Sequence, residues 1–272
     1  MAPDTPTLII GAMKAATTTL YQALVQHPRV CACVTKEPEF FSEHQEYGVD
    51  VDHYFDLWPD FDPRTHVRCL EASTGYTKYP QEQGIPERIR DYGIDPKFIY
   101  IVRNPFDRIE SHLNFHRTRF NILGESFTDS HFIDLSRYGL QISQYFEIFP
   151  EKERYWIVDF DDISQDQRSV VQEGYRFIGV DDAVDIQTKR ANRTHDPSPL
   201  EVLLRRLGVR RTARMLFPES IRRPMRTLLR RWSPDTKQRM TNGDRVCIHD
   251  MLYEDMQRFQ QSTGFDVGRW GF

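Results

Sequence analysis

The stretch LIIGAMKAATTTLYQALVQHP, residues 8–28, decides the fold. Its hydrophobic run ends at Gly11, a turn of small residues then carries a single lysine, Lys14, and a helical pattern opens on three threonines. The first N–H groups of a helix lack intrahelical partners and its dipole is positive there, so a strand–turn–helix of this kind binds anions. The sequence therefore predicts an anion-binding turn at the end of a buried strand.

This turn does not match the loop that binds ATP or GTP. That loop reads G-x-x-x-x-G-K-[ST], which from Gly11 requires glycine at 16, lysine at 17 and a hydroxyl at 18. The sequence has Ala16, Thr17 and Thr18, so only the last position fits. Lys14 lies inside the turn, where it would neutralise a bridging or leaving-group oxygen. The alternative is an ordinary turn, although three threonines begin a helix poorly unless their hydroxyls are used.

A second strand end repeats the arrangement in YIVRNPFDRIESH, residues 100–112. Arg103 leaves the strand, Asn104 and Pro105 begin a helix as cap and first residue, and Ser111 follows about two turns later. A guanidinium and a hydroxyl together suit a phosphate. Two anion sites on one sheet edge predict a nucleotide with phosphates at both ends of its ribose.

Strand and helix patterns alternate along most of the chain. Four apolar runs indicate buried parallel strands, at residues 7–12, 66–72, 97–103 and 154–160. Helical patterns occupy residues 18–26, 106–120, 140–149, 169–178 and 243–264. This alternation predicts an α/β, P-loop-like fold with three layers, in which helices flank a central, mostly parallel sheet. Ligands of such sheets bind at the carboxyl ends of the strands, where both motifs lie.

The composition is that of an ordinary globular protein, with 39% hydrophobic and 28% charged residues and a net charge of −4 over 272 residues. We expect one domain over residues 1–272, with a core at 7–180 and a helical C-terminal part from 197. No apolar run approaches the length of about 20 residues that a membrane span needs. With no signal-like start and four sparse cysteines, we expect a cytoplasmic protein with reduced thiols.

The C-terminal region is rich in arginine. Ten arginines and two acids fall between Leu200 and Trp232, interleaved with apolar residues. Basic amphipathic helices with a solvated face are the simplest interpretation. The alternatives are a basic lid over an anionic ligand and a docking surface for an acidic partner.

The two motifs, in this order, resemble those of sulfotransferases that use 3′-phosphoadenosine 5′-phosphosulfate (PAPS). Residues 11–28 are similar to their 5′-phosphosulfate loop and residues 100–112 to their 3′-phosphate motif. TKEPEFF (35–41) and EASTGY (71–76) lie between them in the family's order. The bacterial-type and heparan-sulfate-type members are the most similar. The resemblance covers residues 7–180 and implies transfer from PAPS, release of adenosine 3′,5′-diphosphate, and no metal.

The resemblance also implies roles for single residues. Arg103 and Ser111 would hold the 3′-phosphate, and Arg193, in KRANRTHDPSP (189–199), is the candidate from a later cofactor loop. Ala16 departs from the family, which usually has glycine there. The 5′ end would be bound by Lys14, Ala15, Ala16, Thr17, Thr18 and Thr19, with Lys14 also stabilising the leaving group.

The acceptor hydroxyl needs a general base. Glu37 matches the family's catalytic glutamate, although a strand-end acid is the plain alternative. Lys36 and Glu39 beside it could tune its pKa or contact the acceptor. His112 and His116 are rival bases, and a packed or solvated histidine is the simpler reading of both.

Arg108 is expected to be a structural ion-pair residue. We expect the acceptor to be the hydroxyl of a small molecule, a carbohydrate or a lipid, and the arginine-rich segment leaves an acidic carrier protein open. Two other functions compete with sulfuryl transfer: a P-loop-type nucleotide kinase or NTPase, and a non-catalytic anion-binding protein. A nucleic-acid partner is disfavoured, because the chain is net acidic and has no aromatic–basic platform.

Overall fold

The computed structural model describes residues 5–43, 51–120, 122, 124–184, 186–187 and 237–272. Within these ranges five strands form one parallel sheet in the order β2–β3–β1–β4–β5. The strands are β1 (Thr7–Gly11), β2 (Val30–Ala32), β3 (Arg68–Ala72), β4 (Lys97–Val102) and β5 (Tyr155–Asp159). Helices flank this sheet, so the predicted α/β, P-loop-like class is confirmed.

Eight α-helices accompany the sheet in the described part of the chain. They are α1 (Thr17–Leu24), α2 (Ile85–Tyr92), α3 (Pro105–Arg119), α4 (Ser130–Asp134), α5 (Tyr138–Ile148), α6 (Phe160–Gln165), α7 (Gln167–Ile178) and α8 (Asn242–Thr263). Short 3₁₀ turns occupy Tyr54–Leu57 and Thr74–Thr77. Helix α8 is the described portion of the predicted helical C-terminal region, whereas the arginine-rich segment lies outside the described residues.

The two central strands form the core because both of their faces are covered. Leu8, Ile9 and Ile10 in β1 are fully buried, as are residues 98–102 in β4. Continuous apolar runs are typical of parallel strands covered on both sides. The chain leaves β1 toward the β2 edge and leaves β4 toward the β5 edge, so the topological switch lies between β1 and β4. Crevices at such switches are the usual ligand sites of α/β sheets.

Several predicted helix ends are confirmed by their caps. The Asn104 Oδ1 atom accepts a hydrogen bond from the Phe106 N–H at 3.1 Å, and α3 begins at the intervening proline. Gly264 ends α8 in the left-handed conformation with φ 77°, whereas α6, which Asp159 caps, was not among the predicted helices. The predicted strands are up to two residues too long at their ends, and β2 was not predicted because three residues are too few for a hydrophobic pattern.

The chain divides into two compact units. The larger comprises Met1–His112, Phe127–Ala191 and Met240–Phe272, and the smaller Leu113–Ser126 and Asn192–Arg239. In the smaller unit, the Asn114 amide accepts from the Gln238 N–H and donates to its carbonyl, both at 2.9 Å. The expectation of a single domain stays a prediction.

Two further expectations from the sequence concern membrane-spanning segments and the cysteine thiols. No described helix has the length and apolar character needed to cross a bilayer. All four cysteines are free, and Cys31, Cys33 and Cys69 are buried, as expected for structural thiols.

Close packing of α1 against α7 yields the first testable prediction. A Cβ atom at Gly174 would lie 2.8 Å from Leu24 Cδ2 and 3.0 Å from Trp156 Cζ3. We expect Gly174→Ala to lower the free energy of unfolding by about 1–3 kcal/mol because the packed side chains must shift. Urea denaturation measures this. Gly243→Ala is the control: its Cβ would meet only Thr241 Oγ1 at 3.7 Å, and equal losses in both variants would contradict the packing explanation.

Candidate active site

The turn between β1 and α1 uses left-handed backbone at two residues other than glycine. Lys14 has φ 71° and Ala16, the N-cap of α1, has φ 67°. This conformation costs a residue with a Cβ about 1–2 kcal/mol, and such strain is concentrated at functional sites. Ala16 occupies the position at which the family that the sequence resembles usually has glycine. Its positive φ explains that preference, because glycine adopts this conformation without strain.

Helix α1 starts without a side-chain cap. Uncapped N–H groups at a helix start are available to an anion, and the helix dipole favours negative charge there. Thr17 is buried, whereas Thr18 and Thr19 are half-buried at the same end of the helix. The threonines therefore open the helix as predicted, but none of their hydroxyls caps it.

Arg103 is held against this turn from several sides. Its Nη1 donates to the Lys14 carbonyl at 3.1 Å, and its guanidinium carbon lies 4.3 Å from the centre of the Phe160 ring. The Tyr138 hydroxyl donates to the Arg103 carbonyl at 2.6 Å. The Nε atom is buried and has no hydrogen-bond partner among the described residues. A buried donor without a partner is costly, so this group is available to a ligand.

Arg108, in the first turn of α3, is fully buried and within electrostatic range of Lys14. Its guanidinium donates to Ser136 Oγ at 2.8 Å and to the Phe132 carbonyl at 2.5 Å. No carboxylate of the described residues pairs with it, so the predicted structural ion pair was wrong. The reason is burial: the side chain reaches neutral acceptors, the Phe132 carbonyl in α4 and the Ser136 hydroxyl after that helix. A buried charge without a counterion raises the local positive potential.

Lys14 experiences this potential directly. Its pKa is lowered to about 8, first by burial and then by the charges of Arg103 and Arg108, while Glu37 opposes the shift. Like charges within electrostatic range disfavour each other's charged forms. These three cations, with Glu37 beside them, therefore form a site that a multiply charged anion would stabilise.

Glu37 is carried by a loop packed on the end of β3. Its N–H donates to the Ala72 carbonyl at 2.9 Å, and its φ of 61° is again left-handed. Its carboxylate lies 2.5 Å from Lys36 Nζ, and 35% of the side chain is exposed. The Glu37 carboxylate is thus accessible and within electrostatic range of Lys14.

Glu39 does not share that environment. It is buried, and its carboxylate accepts from Ser42 Oγ at 2.6 Å and from the Gly75 N–H at 2.9 Å. Burial raises its pKa. The two glutamates of KEPEFF therefore differ: one is open to a ligand, and the other is part of the loop's internal structure.

The remaining residues that the sequence proposed for the site lie in different environments. Ser111 is half-buried in the second turn of α3, and Ala15 is buried in the turn. His112 is packed edge-on against Phe132 and its Nδ1 lies 3.5 Å from Arg108, as expected of a packed histidine. His116 belongs to the smaller unit, where its Nδ1 lies 3.0 Å from Glu125 Oε1. Arg193 lies outside the described residues.

Sequence reasoning did not identify Phe160 and Tyr138, the groups that orient Arg103. They follow β5 and begin α5, more than 30 residues away along the chain. No local pattern marks them, since an aromatic residue at a helix start is ordinary. Only the sheet order, which places β5 beside β4, brings Phe160 to the arginine.

Known proteins with this architecture identify the family. A model of the sulfotransferase domain matches residues 4–195. The structure of a sulfotransferase from Alicyclobacillus acidocaldarius has a TM-score of 0.70 at 20% identity, covering 100% of both chains. Mouse sulfotransferase SULT7A1, complexed with PAP, gives a TM-score of 0.44 at 18% identity, covering 68% of this chain and 61% of that one. The chain belongs to the sulfotransferase family, as its motifs predicted.

The charge coupling at Lys14 is testable without any ligand. In NMR titrations of lysine-labelled protein we expect a pKa of about 8 for Lys14. Arg103→Gln should raise this pKa and Glu37→Gln should lower it further, because each removes a charge that acts on the ammonium group. Glu43→Gln, an exposed acid paired with Arg88, is the control.

The lowered pKa of Lys14 also predicts how the stability of the fold changes with pH. The unfolded chain binds a proton at Lys14 that the folded chain lacks between pH 8 and 10.5, so this residue makes folding more favourable as the pH rises through that window. An unshifted Lys14 pKa that neither Arg103→Gln nor Glu37→Gln affects would contradict the proposed cation cluster.

Proposed function

We propose that this sulfotransferase transfers the sulfuryl group of PAPS to a hydroxyl acceptor. The observation that carries the proposal is the cation cluster of Lys14, Arg103 and Arg108 at the ends of β1 and β4. Placing like charges together is unfavourable until an anion compensates them. A ligand with anionic groups at two separate positions fits cations supplied by two different strand ends.

The residues fit such a donor on physical grounds. The uncapped start of α1 suits the 5′ end, and the buried Nε of Arg103 lacks a partner that a 3′-phosphate oxygen would provide. We assign Ser111 to the same phosphate as a hydroxyl donor, since it lies two turns into the helix that Arg103 precedes. Bound PAPS supplies an activated sulfuryl group whose departure leaves negative charge on a 5′-phosphate oxygen.

Lys14 would neutralise that charge. With a pKa of about 8 the ammonium group is protonated at neutral pH, and an anion at the site would raise the pKa further. The Arg103 guanidinium bonds to the Lys14 carbonyl and so holds the turn in position. Cations fixed before the reaction stabilise developing charge without reorganisation. These side chains supply the required positive charge, and the assignment needs no metal.

Glu37 would accept the acceptor's proton. Its carboxylate is partly exposed and near Lys14, whereas Glu39 and His112 are buried in packed surroundings. Lys36 Nζ donates a hydrogen bond to one oxygen of this carboxylate. We propose a hydroxyl of a small molecule, a carbohydrate or a lipid as the acceptor.

Calorimetric titration with adenosine 3′,5′-diphosphate, without metal, tests the donor. We expect micromolar binding that falls at least tenfold in Lys14→Ala and in Arg103→Ala, because a charge-assisted hydrogen bond contributes about 1.5–3 kcal/mol. Lys152→Ala is the matched control, since this lysine precedes β5, at the opposite end of the parallel strands from the site, and lies against Phe146. Adenosine 5′-monophosphate should bind more weakly, and Arg103→Ala should affect its binding less.

Two results would argue against the donor. The first is binding of ATP with Mg²⁺ in preference to the diphosphate, which would favour a kinase or NTPase. The second is diphosphate binding that depends equally on all three cationic side chains, which would indicate nonspecific charge attraction.

A separate prediction concerns the base. Hydrolysis of PAPS, with water as acceptor and diphosphate release as the signal, should slow about a hundredfold in Glu37→Gln, at the low end for a general base. Diphosphate affinity should not fall, because the substitution removes a negative charge near Lys14. A Glu39→Gln protein that slows equally would deny Glu37 a distinct role.

A further inference from the structure

Glu71 is a fully buried carboxylate that the proposed reaction leaves unused. It lies in β3, one residue before the strand ends, and accepts hydrogen bonds from three hydroxyl groups. Its Oε1 accepts from Tyr54 at 3.0 Å and from Tyr76 at 3.2 Å, and its Oε2 accepts from Ser73 at 3.0 Å. Burying a charged carboxylate is costly, so this arrangement requires an explanation.

Two of these hydroxyls connect Glu71 to the loop that carries Glu37. The Phe41 N–H donates to the Tyr76 hydroxyl at 3.3 Å, and the Glu39 N–H donates to Ser73 Oγ at 3.0 Å. Each hydroxyl thus accepts a hydrogen bond from a loop N–H and donates one to the carboxylate. We call each of these two connections, through Tyr76 and through Ser73, a relay. Among the described residues, the Tyr54 hydroxyl donates to the carboxylate and accepts from no loop N–H.

The chemistry of a carboxylate fixes the direction of both relays. An ionised carboxylate only accepts, so the hydroxyl protons of Tyr76 and Ser73 point toward Glu71. Their lone pairs then face the two loop N–H groups. If Glu71 carried a proton, one of its oxygens would donate to a hydroxyl, and the carboxylate would no longer fix the direction of that hydroxyl's own proton.

The loop depends on such restraint. Glu37 and Glu39 adopt φ values of 61° and 52°, where residues with a Cβ are strained. Strained backbone persists only where its surroundings determine it. The relays restrain Glu39 and Phe41, while the direct bond from the Glu37 N–H to the Ala72 carbonyl restrains the remaining end.

We propose that ionised Glu71 is a positioning residue, which holds the Glu37 loop in place by orienting the hydroxyls of Ser73 and Tyr76. The catalytic part of this inference rests on the proposed role of Glu37 as base. The structural part stands independently of the reaction.

The surroundings of Glu71 make its charge sensitive to pH. Burial raises the pKa to about 7, the hydroxyl bonds lower it, and Glu39 raises it. The titratable groups that interact electrostatically with Glu71 include Glu39, Tyr54, Tyr76, Tyr21, Cys33 and Tyr145, which are all acids. The loop should therefore be held firmly above pH 7 and loosen below it.

Amide hydrogen exchange, measured by NMR on the ligand-free chain and corrected for intrinsic rates, tests this. We expect Glu71→Gln to lower protection at the Glu39 and Phe41 amides about fivefold, the value of one hydrogen bond. Ser73→Ala should act at Glu39 and Tyr76→Phe at Phe41. Tyr54→Phe is the matched control, because it removes a donor to the same carboxylate without breaking a relay.

The pH dependence separates positioning from general destabilisation. Protection at the two amides should rise through pH 7 in the wild type and stay flat in Glu71→Gln, while amides in β4 are unaffected. The rate of PAPS hydrolysis should fall in Glu71→Gln without weaker diphosphate binding. If Glu71→Gln does not fold, the Ser73, Tyr76 and Tyr54 variants carry the test.

Two results would overturn the proposal: unchanged protection in Glu71→Gln, and equal loss in Tyr54→Phe and Tyr76→Phe. Failure of the proposed function gives a different pattern. Absence of diphosphate binding in the wild type, with the exchange pattern as expected, would remove the sulfuryl-transfer assignment and leave the positioning of the loop intact.

Discussion

The parallel pairing of β1 with β4 is the constraint on which the rest of the site depends. Ile9 pairs with Ile99 and Gly11 with Tyr100, and the Ala12 N–H continues the ladder to the Ile101 carbonyl at 2.7 Å. The two strands consequently end together, and the turns that follow them diverge. Every cation of the candidate site follows from this pairing, because each is carried by the turn or helix after one of these strands.

The energetic balance of the site follows from the same geometry. The sheet edge brings positive side chains together and buries one of them, and among the described residues Glu37 is the carboxylate that acts on Lys14. Folding therefore stores unfavourable electrostatic energy that an anion releases. The strain at Lys14 and Ala16 adds to it, so the turn is stable because of the sheet around it rather than its own preferences.

The parts of this arrangement that depend on local sequence could be predicted. The Gly11 turn, the Asn104–Pro105 helix start and the apolar runs of the central strands are encoded within a few residues each. The fate of Arg108 could not be predicted, because its neutral acceptors come from residues more than 20 positions away. The different environments of the two glutamates of KEPEFF could not be predicted either. Nothing in the local sequence separates them, and only the contacts with Gly75 and Ser42 distinguish the buried Glu39.

The bond from Arg103 to the main chain of Lys14 joins the two halves of the site mechanically. A ligand group that binds the arginine also restrains the main chain of Lys14. Binding at one end of a nucleotide would therefore affect binding at its other end. A ligand that lacks one terminal phosphate would then forfeit more than that phosphate's own contacts. Discrimination between nucleotides would arise from this shared backbone bond as well as from the number of charges.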